Sequence, residues 1–493
     1  MGLESTGYRQ VTNAFLRSVS FNFCLFAIIG PYCVMRTERD SMGDMPVPDD
    51  ALYGASTQRA VLNFPISGHK MPDALIRGLG LVKFACTAAN AELGLIDIEK
   101  SRLIQQVALE IVEGGLRHQF PVDIFQTGSG TSTNTNINEV IANRASQLAG
   151  QPIGSKKPVH PNDDVNHGQS SNDVMPAALH VSVAIALKEN LRPALDHLRH
   201  ELAEKSHAFG AIVKIGRTHL MDATPLTLGQ EFSGYAAQMA KAVDRTDKAI
   251  AALHELALGG TAVGTGINTH PELAAKVCQS LHERTGIPFV EAHNHFEAQA
   301  ARDDAVEVAG HLATVAASLT KIANDIRLLG SGPRSGLAEI RLPATQPGSS
   351  IMPGKVNPVM SEMLIQVCLY THGLAQTVVM CGRDGYLELN TTIPLIAYAL
   401  HEAIHCLANG ARVFADACVH GIAADESRCA ELVQRSLMLV TALNPFIGYD
   451  QAAAVAKEAL ATNRTLREIV LEKKLMDAAT LDRALDPWGM TNS

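Results

Sequence analysis

The sequence predicts a mainly α-helical protein organised around a central bundle of five long helices, and two observations carry this prediction. Apolar residues recur at three- and four-residue spacing over Val174–Phe209 and over residues at roughly 225–257, 297–330, 358–382 and 394–418. Such helices would be about 40 to 50 Å long, as in helix bundles. Hydrophobic residues make up 46% of the chain, charged residues 18% and aromatic residues 5%. So few charges suit a helical protein that buries much of its surface against other subunits.

The length of the chain predicts several domains, because 493 residues exceed one compact unit. We expect a mostly helical N-terminal domain over residues 35–169, the long-helix bundle over 170–424 and a small helical domain over 425–493. Residues 1–34 differ from the rest, since their apolar run is interrupted by Pro31, is too short to span a bilayer and lacks a small-residue cleavage site. We expect a leader that is disordered or absent from the native protein, with Met35 as the natural start.

Charge and cysteine usage exclude several classes of protein. The net charge is -9 and no run of Lys or Arg occurs, which argues against a nucleic-acid partner. The nine cysteines are scattered and never fall in a C-x-x-C spacing. They are typical of reduced core residues in a cytoplasmic protein, without a zinc site or a disulfide framework.

A Gly/Ser-rich loop, Gly348–Pro358, leads into the fourth long helix, which carries Glu362. Small residues allow the loop to move and to approach a ligand closely, while its hydroxyls, Lys355 and Asn357 supply the donors that a small dicarboxylate needs. Asn357 and Pro358 are expected to begin the helix, whose positive end would then point back at the loop. The loop is therefore predicted to be an active-site lid beside an anion.

Two hydroxyl-rich segments also precede helical patterns. Gln126–Asn134 contains Ser129, Gly130 and Thr131, and Gln169–Asp173 precedes the first long helix. Backbone N–H groups and hydroxyls at a helix start can form an anion cradle. For Gln126–Asn134, simple helix capping remains an alternative, because hydroxyl-rich caps are also common without any ligand.

The segment between the first two long helices, Gly216–Pro225, contains Thr218 and His219. Thr224 and Pro225 are expected to begin the next helix, which leaves His219 in a turn. An isolated loop histidine is usually a surface residue, but beside the other donors it becomes a candidate proton carrier. The sequence contains no nucleotide loop or G-x-S-x-G elbow. The available chemistry is proton transfer beside a stabilised carboxylate.

From about Arg36 to the C terminus, the chain resembles the class II fumarases of the fumarase/aspartase superfamily. The similar segments are Gly348–Asn357, which corresponds to the superfamily signature, and Thr127–Glu139, His160–Asp173, Gly216–Gly234 and Leu256–Asn268. The resemblance implies a three-domain fumarase/aspartase-like fold in which the long helices form the shared core of a homotetramer. It also implies active sites built from three subunits, a small dicarboxylate substrate, and no cofactor or metal.

The activity that the resemblance implies is reversible hydration of fumarate to (S)-malate in the tricarboxylic acid cycle. A proton must leave carbon beside a carboxylate, which then carries a second negative charge, so preorganised donors matter most. The resemblance makes Ser349 the base for this proton and pairs His219 with Glu362 to handle the water. The implied substrate-binding residues are Ser129, Gly130, Thr131, Ser170, Ser171, Asn172, Thr218, Ser350, Lys355, Val356 and Asn357. A second dicarboxylate site is implied at His160, Pro161, Asn162 and Asp163.

Two alternatives and several departures accompany this interpretation. An aspartate ammonia-lyase would typically have Gln in place of His219, although Asn444-Pro445 leans towards that enzyme. A catalytically silent structural relative would not need to keep the full set of catalytic residues. Asp164 and Gly168 differ from common fumarase residues and weaken the second dicarboxylate site. The segment Glu388–Pro394 departs from the usual run, and the sequence offers no functional account of it.

Overall fold

The computed structural model of the protein describes residues Val34–Thr491 and consists mainly of α-helices. The helices are α1 Ala55–Asn63, α2 Asp73–Glu92, α3 Ile98–Val112, α4 Thr131–Leu148, α5 Ser171–Ala186, α6 Arg192–Ala208, α7 Leu228–Ala252, α8 Leu273–Thr285, α9 His295–Ala300, α10 Asp303–Leu329, α11 Val359–Gly382, α12 Ile393–Ala417, α13 Glu426–Arg435, α14 Asn444–Ile447, α15 Tyr449–Thr462, α16 Leu466–Glu472 and α17 Ala478–Ala484. The expectation for residues 1–34 falls, except for Val34, outside the described residues.

The strands are short and form two-stranded pairs. They are β1 Met35–Asp40, β2 Gly43–Pro48, β3 Val213–Thr218, β4 Met221–Thr227, β5 Glu255–Leu256, β6 Val290–Glu291, β7 Ile340–Arg341, β8 Gly385–Tyr386, β9 Leu389–Asn390 and β10 Ala423–Ala424. Four pairs are antiparallel, namely β1 with β2, β3 with β4, β7 with β10 and β8 with β9, whereas β5 and β6 pair in parallel.

The five long helical patterns are confirmed. The first consists of α5 and α6, joined by a π-helical turn at Leu187–Leu191, and the others are α7, α10, α11 and α12. The expectation that Thr224 and Pro225 begin α7 is wrong, because both lie in β4 and the helix starts at Leu228. Pro225 is tolerated there because β4 has a single partner strand, which leaves its other edge without a ladder.

The N-terminal region is more regular than the sequence analysis predicted. Residues Met35–Pro48 form a β-hairpin that the sequence analysis missed, and α2 is a helix of 20 residues. Leu75, Leu79 and Val82 of α2 are fully buried. Gly78 allows α2 to approach α5 closely, since an added Cβ there would lie 2.6 Å from the Cβ of Ser182.

The described chain divides into two compact units. One comprises the residues up to Lys188, Lys248–Gly310 and Gly373–Ile404, and the other comprises Glu189–Asp247, His311–His372 and the residues from His405 onwards. The three-domain boundaries expected from the sequence stay a prediction. Within the second unit, β3 is anchored to the C-terminal helices, because Ile215 belongs to the same buried apolar cluster as Leu443, Val455 and Ile469.

Helix α11 is long and apolar enough to cross a membrane by length and composition alone, and only 33% of its apolar window is buried within the chain. Leu369 and Met380, for example, are 63% and 46% exposed. The single chain therefore leaves an extended apolar helix face uncovered.

Candidate active site

The hydroxyl-rich turn before α4 brings its predicted residues together. The hydroxyl oxygens of Ser129 and Thr131 lie 2.8 Å apart, and Gly130 adopts a left-handed conformation with φ of 77° at the helix start. The side chain of Met175 lies directly against Gly130, so an added Cβ would come within 2.7 Å of the methionine methyl group. The turn therefore presents two hydroxyls at the N terminus of an 18-residue helix, whose free N–H groups favour an anion.

The second predicted turn, Ser170–Asn172, opens helix α5 with a capping box. The hydroxyl of Ser170 accepts a hydrogen bond from the Asn172 amide, and the Ser170 amide donates to the carboxylate of Asp173. Asp173 is fully buried, and its other oxygen accepts hydrogen bonds from the amides of Gly259 and Thr261 at 3.2 and 3.0 Å. Burial raises the pKa of Asp173 to about 6. This carboxylate thus fixes the Gly-rich segment 258–266 against the start of α5.

The two turns meet through Asn134, a residue that the sequence analysis did not single out. Its side-chain amide donates to the Ser171 hydroxyl at 3.0 Å and to Oδ1 of Asn166 at 3.2 Å. The N termini of α4 and α5 therefore converge, and their positive ends add at one place. Asn134, Asn136 and Asn138 are each at most 2% exposed. The signal in the sequence that could have found Asn134 is this run of alternate asparagines in one helix.

The unusual segment Glu388–Pro394 now has a structural role behind the first turn. The amide of Ile393 donates to the Gly128 carbonyl at 3.0 Å, and the Thr391 carbonyl packs on Gly128 so closely that an added Cβ would lie 1.7 Å from its oxygen. Asn390 and Thr392 both donate to the Cys381 carbonyl and hold the segment in place. The segment supports the turn that carries Ser129.

In the second unit, Thr218 and His219 lie at the tip of the hairpin formed by β3 and β4. His219 and Leu220 form its two-residue loop, and both have positive φ, 55° and 62°. Side chains other than Gly, Asn or Asp rarely occupy both positions of such a loop, because each costs about 1 kcal/mol or more. Strain of this kind concentrates at functional sites. Both Thr218 and His219 are exposed in the single chain.

A buried ion network holds the base of this hairpin. Arg217 donates to both carboxylate oxygens of Glu339, which is 0% exposed, and Lys214 lies 3.3 Å from the same carboxylate. Lys214 is itself 2% exposed and lies 2.7 Å from the carboxylate of Glu231. Two cations and two carboxylates therefore neutralise one another at the base of the hairpin that carries His219.

The loop Gly348–Pro358 is tied at its base. The Gly348 amide donates to the Lys355 carbonyl at 2.8 Å, and the side-chain amide of Asn357 donates to the Gly348 carbonyl at 2.6 Å. Asn357 therefore closes the loop, and α11 begins at Val359, one residue beyond Pro358. Ser350, Lys355 and Val356 are exposed in the single chain.

Ser349 receives hydrogen bonds from its own loop. Its hydroxyl oxygen accepts from the amides of Ile351 at 3.3 Å and Met352 at 3.1 Å. Such turns are common after serine, but here they aim two donors at the oxygen that would carry charge after losing its proton.

Glu362 is exposed on the first turn of α11. Within the described residues of the single chain, no hydrogen bond or ion pair joins it to His219. The pairing of these two residues stays a prediction, as do the roles of the other site residues.

His160, Pro161 and Asn162 line a cavity of about 440 Å³ in the first unit, whereas Asp163 is not part of its lining. The ring atom Nδ1 of His160 accepts from the amides of Asn162 and Asp163. The same cavity is lined by Arg39 and Lys156 but also by the carboxylates of Glu38, Asp40 and Glu139. A dianion there would face carboxylates as well as cations, so the geometry gives the second dicarboxylate site little support.

No group of three His, Cys, Asp or Glu side chains between Val34 and Thr491 is arranged to hold a metal ion. None of the seven cysteines in that range forms a disulfide, and six of them are buried.

Comparison with known proteins identifies the fold and the activity. A lyase family model matches residues 43–373, and a fumarase C C-terminus model matches residues 439–492. The chain is 50% identical over 457 residues to the class II fumarate hydratase of Neisseria meningitidis, covering 93% of this chain and 99% of the relative. It is 51% identical over 448 residues to that of Thermosynechococcus vestitus, covering 91% and 96%.

Solved structures agree. A crystal structure of class II fumarase from Schistosoma mansoni matches with a TM-score of 0.91 at 40% identity, covering 93% of this chain and 99% of that one. A fumarate lyase:delta crystallin from Brucella melitensis, bound to cobalt, matches with a TM-score of 0.90 at 43% identity, covering 93% and 100%.

Fold and sequence together define an enzyme of the lyase class. The chain belongs to the class II fumarate hydratases. Its activity is the hydration of fumarate, as the sequence analysis predicted, and the alternatives of an aspartate ammonia-lyase and of a silent relative are set aside.

Proposed function

We propose that the turns before α4 and α5, the His219 hairpin and the Ser349 loop together form the site that interconverts fumarate and (S)-malate. The convergence of two helix N termini at Asn134 and Ser171 supports the first part of this proposal. Fumarate carries two carboxylates, and a pair of positive helix ends lined with hydroxyls suits one of them. Ser129, Gly130, Thr131, Ser170, Ser171 and Asn172 orient that carboxylate.

Ser349 removes the C3 proton of malate in the dehydration direction. A serine hydroxyl is almost never ionised in water near neutral pH, so the negative charge of the alkoxide must be stabilised by the site. The amides of Ile351 and Met352 supply two donors to that oxygen, and this is the observation that carries the assignment. The transient aci-carboxylate next to C3 is stabilised by Lys355 and Asn357, with the loop amides at Ser350 and Val356.

His219, oriented by Glu362, exchanges the proton of the water that leaves C2 or attacks it, and Thr218 holds the substrate beside it. The left-handed conformation of His219 supports this role, because the hairpin keeps a strained histidine at its exposed tip. In the hydration direction His219 takes a proton from water while Ser349 returns one to C3. The enzyme therefore gains one proton at His219 and loses one at Ser349, so that its total number of protons does not change.

The working enzyme is a homotetramer whose sites combine loops from three subunits. Three glycines inside long helices support this, since an added Cβ at Gly234, Gly310 or Gly373 would meet nothing within 4 Å in the single chain. A glycine in a helix interior costs about 1 kcal/mol relative to alanine, and a closely packed partner helix would explain it. The uncovered apolar face of α11 fits the same interface. The enzyme acts in the cytoplasm, in the tricarboxylic acid cycle, and needs no cofactor or metal.

An ultraviolet assay tests the reaction. The purified protein should remove the absorbance of fumarate without ammonium and restore it from L-malate, with no change from L-aspartate. An absorbance change that required ammonium or aspartate would refute the hydratase assignment.

Assembly is tested separately. Gly373→Leu should lower the tetramer fraction measured by light scattering and lower activity in parallel, whereas Leu460→Ser, at a C-terminal side chain that is 74% exposed, should change neither. Full activity in a separated monomer would refute the composite site.

A further inference from the structure

Helix α2 carries a lysine in a position where its charge is costly. Lys83 is 0% exposed, between the fully buried Val82 and the buried Phe84. A buried ammonium loses several kcal/mol of hydration, which a well-packed apolar side chain would not lose. Stability alone therefore gives no reason for a charge at this position.

The acceptors of Lys83 are amides that precede the substrate turn. Its ammonium donates to Oδ1 of Asn166 and to Oε1 of Gln169, each at 2.9 Å. Asn166 Oδ1 also accepts from Asn134 and Asn138, and its own amide donates to the Gln169 carbonyl at 2.9 Å. Lys83 thus fixes both ends of the short segment that runs directly into Ser170.

The contacts continue from this segment to the proposed substrate donors. Asn134, which shares Asn166 with Lys83, donates to the Ser171 hydroxyl. Asp173, the carboxylate whose charge favours the ammonium of Lys83, accepts from the Ser170 amide. Lys83 is therefore connected to the turn in two ways, by its hydrogen bond to Asn166 and by its charge interaction with Asp173.

We propose that Lys83 is a positioning residue for substrate binding, whose ammonium clamps Asn166 and Gln169 so that Ser170–Asn172 hold their donors in place for a dicarboxylate. This inference rests on the proposed function, in which that turn binds substrate. Lys83 then affects the affinity for the dicarboxylate and takes no part in proton transfer.

The test uses the full-length enzyme at pH 6, below the pKa of Lys83, which burial lowers to about 7, so that the wild-type side chain carries its charge. The variant Lys83→Met keeps the length of the side chain and removes the charge. The KM for fumarate and for malate should rise about tenfold or more, as expected for the loss of charged hydrogen bonds. The kcat should change by about threefold or less, since no proton-transfer group is altered. Gln169→Leu removes one acceptor from the other side and should raise KM in the same direction.

Two controls separate the explanations. Val82→Ala, a cavity next to Lys83 on the same helix, should lower the melting temperature without changing KM. Asn172→Ala tests the substrate turn itself: normal kinetics in that variant would refute the proposed function rather than the role of Lys83. Raised KM in Asn172→Ala with normal KM in Lys83→Met and Gln169→Leu would overturn the inference alone. If Lys83→Met does not assemble, Lys83→Gln and Gln169→Leu test the role of Lys83 instead. A normal KM in both of these variants overturns the inference.

Discussion

Arg217 donates from one guanidinium nitrogen to both carboxylate oxygens of Glu339, at 3.1 and 3.0 Å, directly below the hairpin that presents His219. Glu339 is fully buried and also faces Lys214. Removing one member of such a buried group leaves the others uncompensated, which is far more damaging than the loss of a surface pair. The network therefore couples the stability of the hairpin to the placement of the proton carrier.

Glu339→Gln should consequently destabilise the enzyme by about 3 kcal/mol, because Arg217 and Lys214 lose their shared anion. The kcat should fall as well, since the hairpin loosens. Thermal unfolding and steady-state kinetics of the same preparation would check both effects. The matched control is Glu431→Gln, an exposed partner of Arg428, which should alter neither. A stable, fully active Glu339→Gln enzyme would contradict the coupling.

His219→Asn should separate stability from activity. Asparagine tolerates the left-handed conformation better than histidine, so the melting temperature should stay the same or rise. Turnover should fall about a hundredfold or more, because the proton carrier is lost. Leu220→Asn relieves the neighbouring strain and keeps His219, and should retain turnover. Turnover near the wild-type value in His219→Asn would remove His219 from the proposed mechanism.

Ser349→Ala should lower kcat about a hundredfold or more while the tetramer stays intact, because the base for the C3 proton is removed. The adjacent Ser350→Ala removes a hydroxyl but keeps the backbone amide proposed to stabilise the aci-carboxylate, and should act mainly on KM. Exchange of the C3 proton of malate with solvent, followed by NMR, reports the step directly. Exchange at the wild-type rate in Ser349→Ala would assign the base to another group.

Gly128→Ala should disrupt the turn before α4, on the side where it packs against Thr391. The added methyl group would lie 1.7 Å from the Thr391 carbonyl oxygen, so the backbone must move and take Ser129 with it. We expect a rise in KM of about tenfold or more together with a lower melting temperature. At Gly489 an added Cβ approaches nothing closer than 4.0 Å, so Gly489→Ala serves as the control. Unchanged kinetics in Gly128→Ala would mean that the turn does not bind substrate.

The sequence predicted the parts of this enzyme that depend on local pattern. Helical periodicity identified α7 and α10–α12, and the hydroxyl and glycine motifs identified the turns. It could not predict the hairpin of β3 and β4, because Pro225 is as typical of a helix start as of a strand with one open edge. Contacts such as Thr391 on Gly128 or Lys83 on Asn166 depend on the tertiary fold, which local residue patterns do not encode.

Lys83 also makes the stability of the enzyme depend on pH. Burial lowers the pKa of Lys83 to about 7, whereas a lysine in an unfolded chain titrates near about 10.4. Between these values the unfolded chain holds a proton that the folded chain has released, so the contribution of Lys83 to the free energy of unfolding rises with pH. Below pH 7 both states are protonated, and the full cost of burying the ammonium remains.

The free energy of unfolding of the wild type relative to Lys83→Met should therefore rise between pH 7 and pH 9, with a slope of at most about 1.4 kcal/mol per pH unit. The difference in melting temperature should rise with it. Asp173 and Cys86, the titratable groups that act on Lys83, are present in both proteins. In the folded wild type, burial raises their pKa values to about 6 and about 12, below and above this window. In the unfolded chains both groups titrate alike in the two proteins. Thermal unfolding of both proteins at pH 7, 8 and 9, at one protein concentration, measures the difference. A difference that stays constant would mean that Lys83 keeps its proton throughout, because its hydrogen bonds to Asn166 and Gln169 then outweigh the cost of burial.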